Sequence, residues 1–166
     1  MGLPPIDIRS MSVADIPAVL QVERASFSAP WKRQAFYNEL VHNQFAHYVV
    51  VEREKRIIGY SGMWLILDEA HITNIAILPE LRGQGIGNYL LDFLMEMACE
   101  AGASKMTLEV RVSNDHAQRL YRKKGFAATG VRPGYYTDNQ EDALIMWAEL
   151  GGGSDEQNNE ISGAGY

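Results

Sequence analysis

A single cysteine, Cys99, stands in the 166 residues, so no intramolecular disulfide can form and the chain suits a reducing compartment. No apolar run approaches the roughly 20 residues of a membrane span. The N-terminus lacks the basic and then apolar order of a secretory leader. Met1-Gly2 is followed at position 6 by Ile6 rather than the Ser or Thr of an N-myristoylation signal. A cytoplasmic protein with no membrane attachment is expected. An excess of base is missing as well. Three of the 21 acidic residues (Asp155, Glu156 and Glu160) lie beyond position 150, leaving 18 against 15 Lys and Arg in the body. That balance offers no footprint for direct nucleic-acid binding. Among the four histidines (His42, His47, His71 and His116) there is no H-E-x-x-H, and the lone cysteine makes no C-x-x-C. They read as solvated or core side chains, and no metal is expected.

The apolar content of 46% is enough for one packed α/β or α+β domain and too little chain for two. Residues 1–150 form that domain. From Gly151 the sequence turns to Gly, Ser, Asp, Glu, Gln and Asn, a composition that predicts a disordered tail over 151–166.

Periodicity supplies the elements. Ile6 to Arg9 alternates as a first strand, and Ser12 to Asp15 reads as a cap for a helix whose stripe is Ile16, Val19, Leu20 and Ala25. Lys32 to Val41 is a second short helix with Phe36 and Leu40 inward. Ala46 to Val51 and Ile57 to Leu67 form a hairpin around the polar turn Glu52 to Arg56. Ala70 to Leu78 is a further strand, stopped by Pro79. A helix over Gly85 to Ala101 carries Asn88, Asp92, Glu96 and Glu100 as its one wet stripe. Lys105 to Val112 turns Met106, Leu108 and Val110 to one face and Thr107, Glu109 and Arg111 to the other. Ser113-Asn114 caps a short helix ended by Gly125, and Phe126 to Val131 and Ala143 to Trp147 close the chain as strands.

Chemistry concentrates at Arg82-Gly83-Gln84-Gly85-Ile86-Gly87-Asn88. Glycines there allow a tight turn that aims several N–H groups at one point, the start of a helix, where an anion is favoured. A phosphate-bearing ligand fits, although neither the dinucleotide fingerprint nor the P-loop spacing is present.

Arg82-x-x-Gly85-x-Gly87, followed by Leu108-Glu109-Val110-Arg111-x-Ser113-Asn114-x-x-Ala117-x-x-Leu120-Tyr121-x-x-x-Gly125-Phe126, resembles the signature segments of the GNAT acetyltransferases. The added pattern of Pro30-Trp31, Thr73 to Ile77, and Tyr135-Tyr136 before Glu141-Asp142-Ala143 is similar to the RimI-type ribosomal-protein-alanine N-acetyltransferases. The resemblance spans residues 5 to 150. It implies a single GNAT fold, α/β (α+β), with a mixed, largely antiparallel sheet flanked by helices and splayed to admit acetyl-CoA. The implied pyrophosphate site is the backbone of Gly83, Gln84, Gly85, Ile86, Gly87 and Asn88 with the Arg82 side chain. The main chain of Ile75, Ala76 and Ile77 would pair with the pantetheine arm, and Asn114 would hydrogen-bond nearby.

Glu109 is the implied base for the acceptor amine; its other reading is a plain ion pair with Arg111. Tyr121 is the implied acid for the departing thiolate. A phenol near pKa 10 can protonate a thiol group near 8.5 only in concert with bond cleavage or after its own pKa is lowered. Trp31, Tyr135 and Tyr136 are candidate walls for a substrate peptide. An α-amine titrates at about 7.7–8.0 and lysine at about 10.4, so freeing lysine costs roughly 3.4 kcal/mol more at neutral pH. A lone carboxylate therefore matches a protein N-terminus, as on a ribosomal protein. The alternatives are a lysine, polyamine or drug acceptor, for which Glu69, Glu141 and Asp142 could build an acidic pocket, or a sensor that binds acetyl-CoA without turnover.

Overall fold

The computed structural model describes residues 5–151, so all of the expected tail except Gly151 lies outside the described residues. The chain runs β1 (Ile6–Ser10), α1 (Ile16–Ser26), α2 (Arg33–Val41), β2 (Ala46–Arg53), β3 (Arg56–Ile66), β4 (Glu69–Ile77), α3 (Ile86–Glu100), β5 (Lys105–Arg111), α4 (Asp115–Lys123), β6 (Ala127–Arg132) and β7 (Ala143–Glu149). The seven strands make one sheet in the order β1-β2-β3-β4-β5-β7-β6. Every neighbouring pair is antiparallel except β4 with β5. The mixed, largely antiparallel sheet expected from the sequence is therefore observed.

Burial explains the layering. Tyr48 to Val51 of β2 and Ile58 to Met63 of β3 are buried without a break, so both faces of this half of the sheet are covered. On one face Phe36 of α2 stacks edge-on with Tyr60, ring centroids 5.4 Å apart, and with Tyr48 at 6.4 Å. Helix α3 buries Ile86, Leu90, Leu91, Leu94 and Ala98. Its wet face is broader than one stripe, because Tyr89 and Cys99 are exposed beside Asp92, Glu96 and Glu100. Helix α1 turns Ile16, Val19, Leu20, Val22 and Glu23 inward. Ala25, expected in that stripe, lies in the last turn and faces solvent.

The β5–β7 half differs. Met106, Leu108 and Val110 are buried and register with Ala148, Met146 and Leu144. The opposite face, carrying Thr107, Glu109, Ile145 and Trp147, borders an open groove.

Two local devices shape the centre. Gly62 pairs with Asn74 and Met63 with Ile72, so Thr73 is an extra residue in β4, a bulge that bends the strand. The Ser61 hydroxyl donates to the Asn74 carbonyl at 2.7 Å, and the Tyr48 hydroxyl donates to Asn74 Oδ1 at 3.1 Å. Together they hold the bulge. In parallel, β4 pairs with β5 only from Glu69 to His71, against Lys105 to Thr107. Past the bulge the two strands part.

Gly62 is required for contact rather than conformation: a Cβ there would lie 2.3 Å from the Tyr48 ring. Gly62→Ala is expected to cost about 1–3 kcal/mol of stability, read as a lower urea midpoint at unchanged m-value.

Candidate active site

The loop after β4 is built to present N–H groups. Leu81 N–H and Arg82 N–H close a short turn on Leu78 and Pro79, and the first bond into α3 is Tyr89 N–H to the Gly85 carbonyl at 3.1 Å. The amides between, Gly83 to Asn88, donate to no group among the described residues. Gly83 and Gly85 hold φ of 80° and 84°, where side chains are strained, and the space above both is open. Gly87 lies inside α3, its Cβ position 3.8 Å from Leu120 of α4. Arg82 donates its Nε to the Ile77 carbonyl at 3.1 Å, which anchors the guanidinium beside the loop. Upstream, Ile75 to Ile77 pair with β3 on one edge, and on the other they have no strand partner once β5 has parted. An extended ligand arm and a pyrophosphate both fit these donors.

Where β4 and β5 separate lies a cavity of about 530 Å³. Its wall includes Thr73 to Ile75, Leu108 to Arg111, Asn114 and Tyr121, with Trp31, Tyr135 and Tyr136 at the mouth. All three aromatics named from the sequence thus line one space with Glu109 and Tyr121. Asn114 also caps α4, its Oδ1 accepting Ala117 N–H at 3.1 Å, which leaves its amide nitrogen free to donate.

Glu109 does not pair with Arg111. Its Oε2 lies 2.8 Å from His71 Nε2 and its Oε1 accepts from Arg132 Nε at 3.3 Å. Burial pushes this carboxyl up, but the hydrogen bond and field of His71, with those of Arg132, outweigh it and hold the group below its ordinary value. Glu109 is therefore ionised at neutral pH. Tyr121 is buried, packed at 5.8 Å from Phe126, and its hydroxyl has no hydrogen-bond partner among the described residues. Burial raises its pKa to about 12. Burial thus acts against lowering of its own pKa and favours concerted transfer.

Arg111 has other work. It pairs with Asp138 at 2.8 Å and Glu141 at 3.2 Å and lies over the Tyr136 ring at 4.0 Å. Asp138 also accepts from the Ser28 hydroxyl, which ties the β6–β7 loop to the α1–α2 loop across the cavity mouth. Glu23 was absent from the candidates and lines the cavity too. Only 2% exposed, it accepts from Tyr60 Oη and from the Trp31 N–H at 2.9 Å, so a buried carboxylate sets the position of Trp31. Burial raises its pKa. Its place at i+3 and i+4 from Leu20 and Val19 on the inward stripe was the available signal. The acids considered for a polycation pocket are spent: Glu69 on Lys105, Glu141 on Arg111 and Ser113 N–H, Asp142 on Gly134 N–H.

A β-strand parted from its parallel neighbour, a loop rich in N–H donors after it, and a carboxylate and a phenol in one cavity are thus brought together. Residues 16–126 match the acetyltransferase (GNAT) family. The chain belongs to that family and is an N-acetyltransferase. Among relatives, the [ribosomal protein bS18]-alanine N-acetyltransferase of Escherichia coli (strain K12) is 34% identical over 84% of this chain and 94% of its own. A protein of Bacillus subtilis (strain 168), to which the same activity is provisionally given, is 48% identical over 86% of this chain and 95% of its own. The crystal structure of the E. coli ribosomal-protein-S18-alanine N-acetyltransferase superposes with a TM-score of 0.81 at 30% identity, covering 88% of this chain and 94% of that one. No helix among the described residues is long and apolar enough to cross a membrane.

Asp138→Ala releases Ser28 and half of the Arg111 clamp. It is expected to raise the KM for the acceptor about fivefold, the worth of roughly 1 kcal/mol. Steady-state kinetics should show the KM for acetyl-CoA within about twofold of the parent.

Proposed function

We propose that this chain acetylates the N-terminal α-amine of a protein, with alanine first, and that the acceptor is a ribosomal protein of the bS18 type. The observation that carries the reading is the joint cavity of Glu109, Tyr121, Trp31, Tyr135 and Tyr136 at the parting of β4 and β5. It has room for the end of an extended chain between two loops pinned by Ser28 and Asp138. The names of the E. coli and B. subtilis relatives support the choice of acceptor. Engagement of Glu69, Glu141 and Asp142 in other bonds weighs against a polyamine. The catalytic unit is residues 1–150, with the polar tail outside it, and a cytoplasmic site of action goes with a ribosomal acceptor.

Acetyl-CoA supplies the acetyl group as a thioester. The amides of Gly83 to Asn88 and the Arg82 guanidinium hold its pyrophosphate, and the free edge of Ile75 to Ile77 and the Asn114 amide hold the arm. Glu109, ionised and set on a strand, accepts a proton from the α-ammonium. Tyr121 keeps its proton throughout the physiological range and gives it to sulfur only as the C–S bond breaks.

An alanine-first peptide is expected to release thiol from acetyl-CoA, and an N-terminally blocked copy with an internal lysine is expected to release none. Glu109→Gln and Tyr121→Phe should each lower kcat about 100-fold or more while acetyl-CoA still binds by calorimetry. Turnover of the blocked peptide would move the assignment to lysine, and binding without turnover on either would make the chain a sensor.

A further inference from the structure

Glu109 faces two spaces. Besides the reaction cavity, a second groove of about 470 Å³ lies on the open face of the β5–β7 half-sheet, walled by Trp64, His71, Thr107, Arg132 and Trp147. Among the described residues, Glu109 is the one that borders both. Both partners of its carboxylate, His71 and Arg132, stand on the groove side. The carboxylate is therefore the partition between the place where an amine is deprotonated and a separate passage to water.

The stoichiometry makes that passage useful. An ammonium, R–NH3+, and an acetyl thioester give an amide, a thiol and one free proton. One proton of the ammonium goes to Glu109, and the second, lost from nitrogen as the amide forms, replaces the one that Tyr121 gives to the thiolate. Glu109 must consequently be emptied once per turnover. The transfer onto it is uphill, since an α-ammonium at about 7.7–8.0 far outlasts a carboxyl at about 4.3. A proton left on Glu109 returns to the amine.

His71 meets more water than Glu109 does. The side chain of Glu109 is 9% exposed, whereas that of His71 is 33% exposed. His71 is held by Glu109 through Nε2 and by an edge contact with Trp64, ring centroids 6.1 Å apart. Its Nδ1 has no protein partner among the described residues and is not buried. Arg132, the other partner, is a fixed cation that accepts no proton. The other charged residues of the groove are Glu69, which pairs with Lys105 at 3.4 Å, and Asp68, which accepts from the Ser104 hydroxyl at 3.0 Å.

We propose that His71 is a positioning residue that also carries the proton of Glu109 out through this second groove, away from the reacting amine. Once Glu109 is protonated, exchange with water in the groove moves the ring proton from Nε2 to Nδ1. The carboxyl proton then passes from Oε2 to Nε2 as the Nδ1–H bond breaks toward that water, which leaves Nε2–H donating to the ionised carboxylate as before. Entry of acceptor and exit of proton then use the two separate spaces that Glu109 borders. The inference rests on Glu109 as the acceptor of the amine's proton.

His71→Gln keeps a hydrogen-bond donor for Glu109 but cannot relay. It is expected to lower kcat with the alanine-first peptide at least tenfold, with both KM values within about twofold. His71→Asn, too short to reach the carboxylate, guards against a special effect of glutamine and should lose as much. Imidazole buffers of similar size should restore kcat in the variants in order of their basicity, and leave the parent enzyme unchanged. Undiminished kcat in both variants, or a loss that no buffer reverses, overturns the relay. Glu109→Gln assayed beside them separates the two ideas. If it is inactive while the His71 variants are not, only the relay fails; if it stays active, the base assignment fails and the relay with it.

Discussion

The rest of the site depends on one constraint: β4 and β5 are bonded for three residues and then released. A parallel pair that stayed in register would cover the edge of Ile75 to Ile77 and close the cavity. The extra residue at Thr73 prevents this, because it bends β4 just where β5 runs straight on into its pairing with β7. A bulge exposes backbone groups that must find partners. Ser61 provides one for the Asn74 carbonyl, Tyr48 holds the Asn74 side chain, and Gly62 gives the Tyr48 ring the room to do so. Thus one residue without a side chain in β3 supports an opening in the neighbouring strand.

Around that opening, charges are assigned in separate sets. Arg111 is neighbour to Glu109 on the same face of β5, yet it is bound by Asp138, Glu141 and the Tyr136 ring. This removes a strong cation from the carboxylate and leaves it to His71 and Arg132, whose hold is enough to keep it ionised. Were Arg111 the partner of Glu109, the carboxylate would be a poorer base still and the mouth of the cavity would lose its clamp. Tyr121 is kept in the opposite condition, its ring buried and its hydroxyl without a partner among the described residues, so that burial holds its proton until a stronger acceptor forms beside it.

Much of the fold was legible in the chain. Period-two and period-3.6 patterns place all seven strands and the four helices of the described residues within a residue or three of their observed ends, since burial of one face is a local demand. The errors were local too. Ala25 was assigned inward because it is apolar, but the last turn of α1 extends past the residues it packs on. Glu23 is not among the residues read as inward, although its helical phase puts it there; the Trp31 N–H and the Tyr60 hydroxyl, 37 positions away, make its burial tolerable.

Family membership, the glycine loop, the cap at Asn114 and the candidacy of Glu109 and Tyr121 were determined by the sequence alone, for each rests on short motifs and, for the family, on their order along the chain. His71 read as an ordinary histidine. Its meaning appears only when β4 lies parallel to β5, bringing together residues 38 positions apart. The same holds for the Ser28–Asp138 tie, which spans 110 positions. Strand order and register are properties of the whole sheet, set by the sum of many weak contacts, and no local pattern encodes which side chains they will bring face to face.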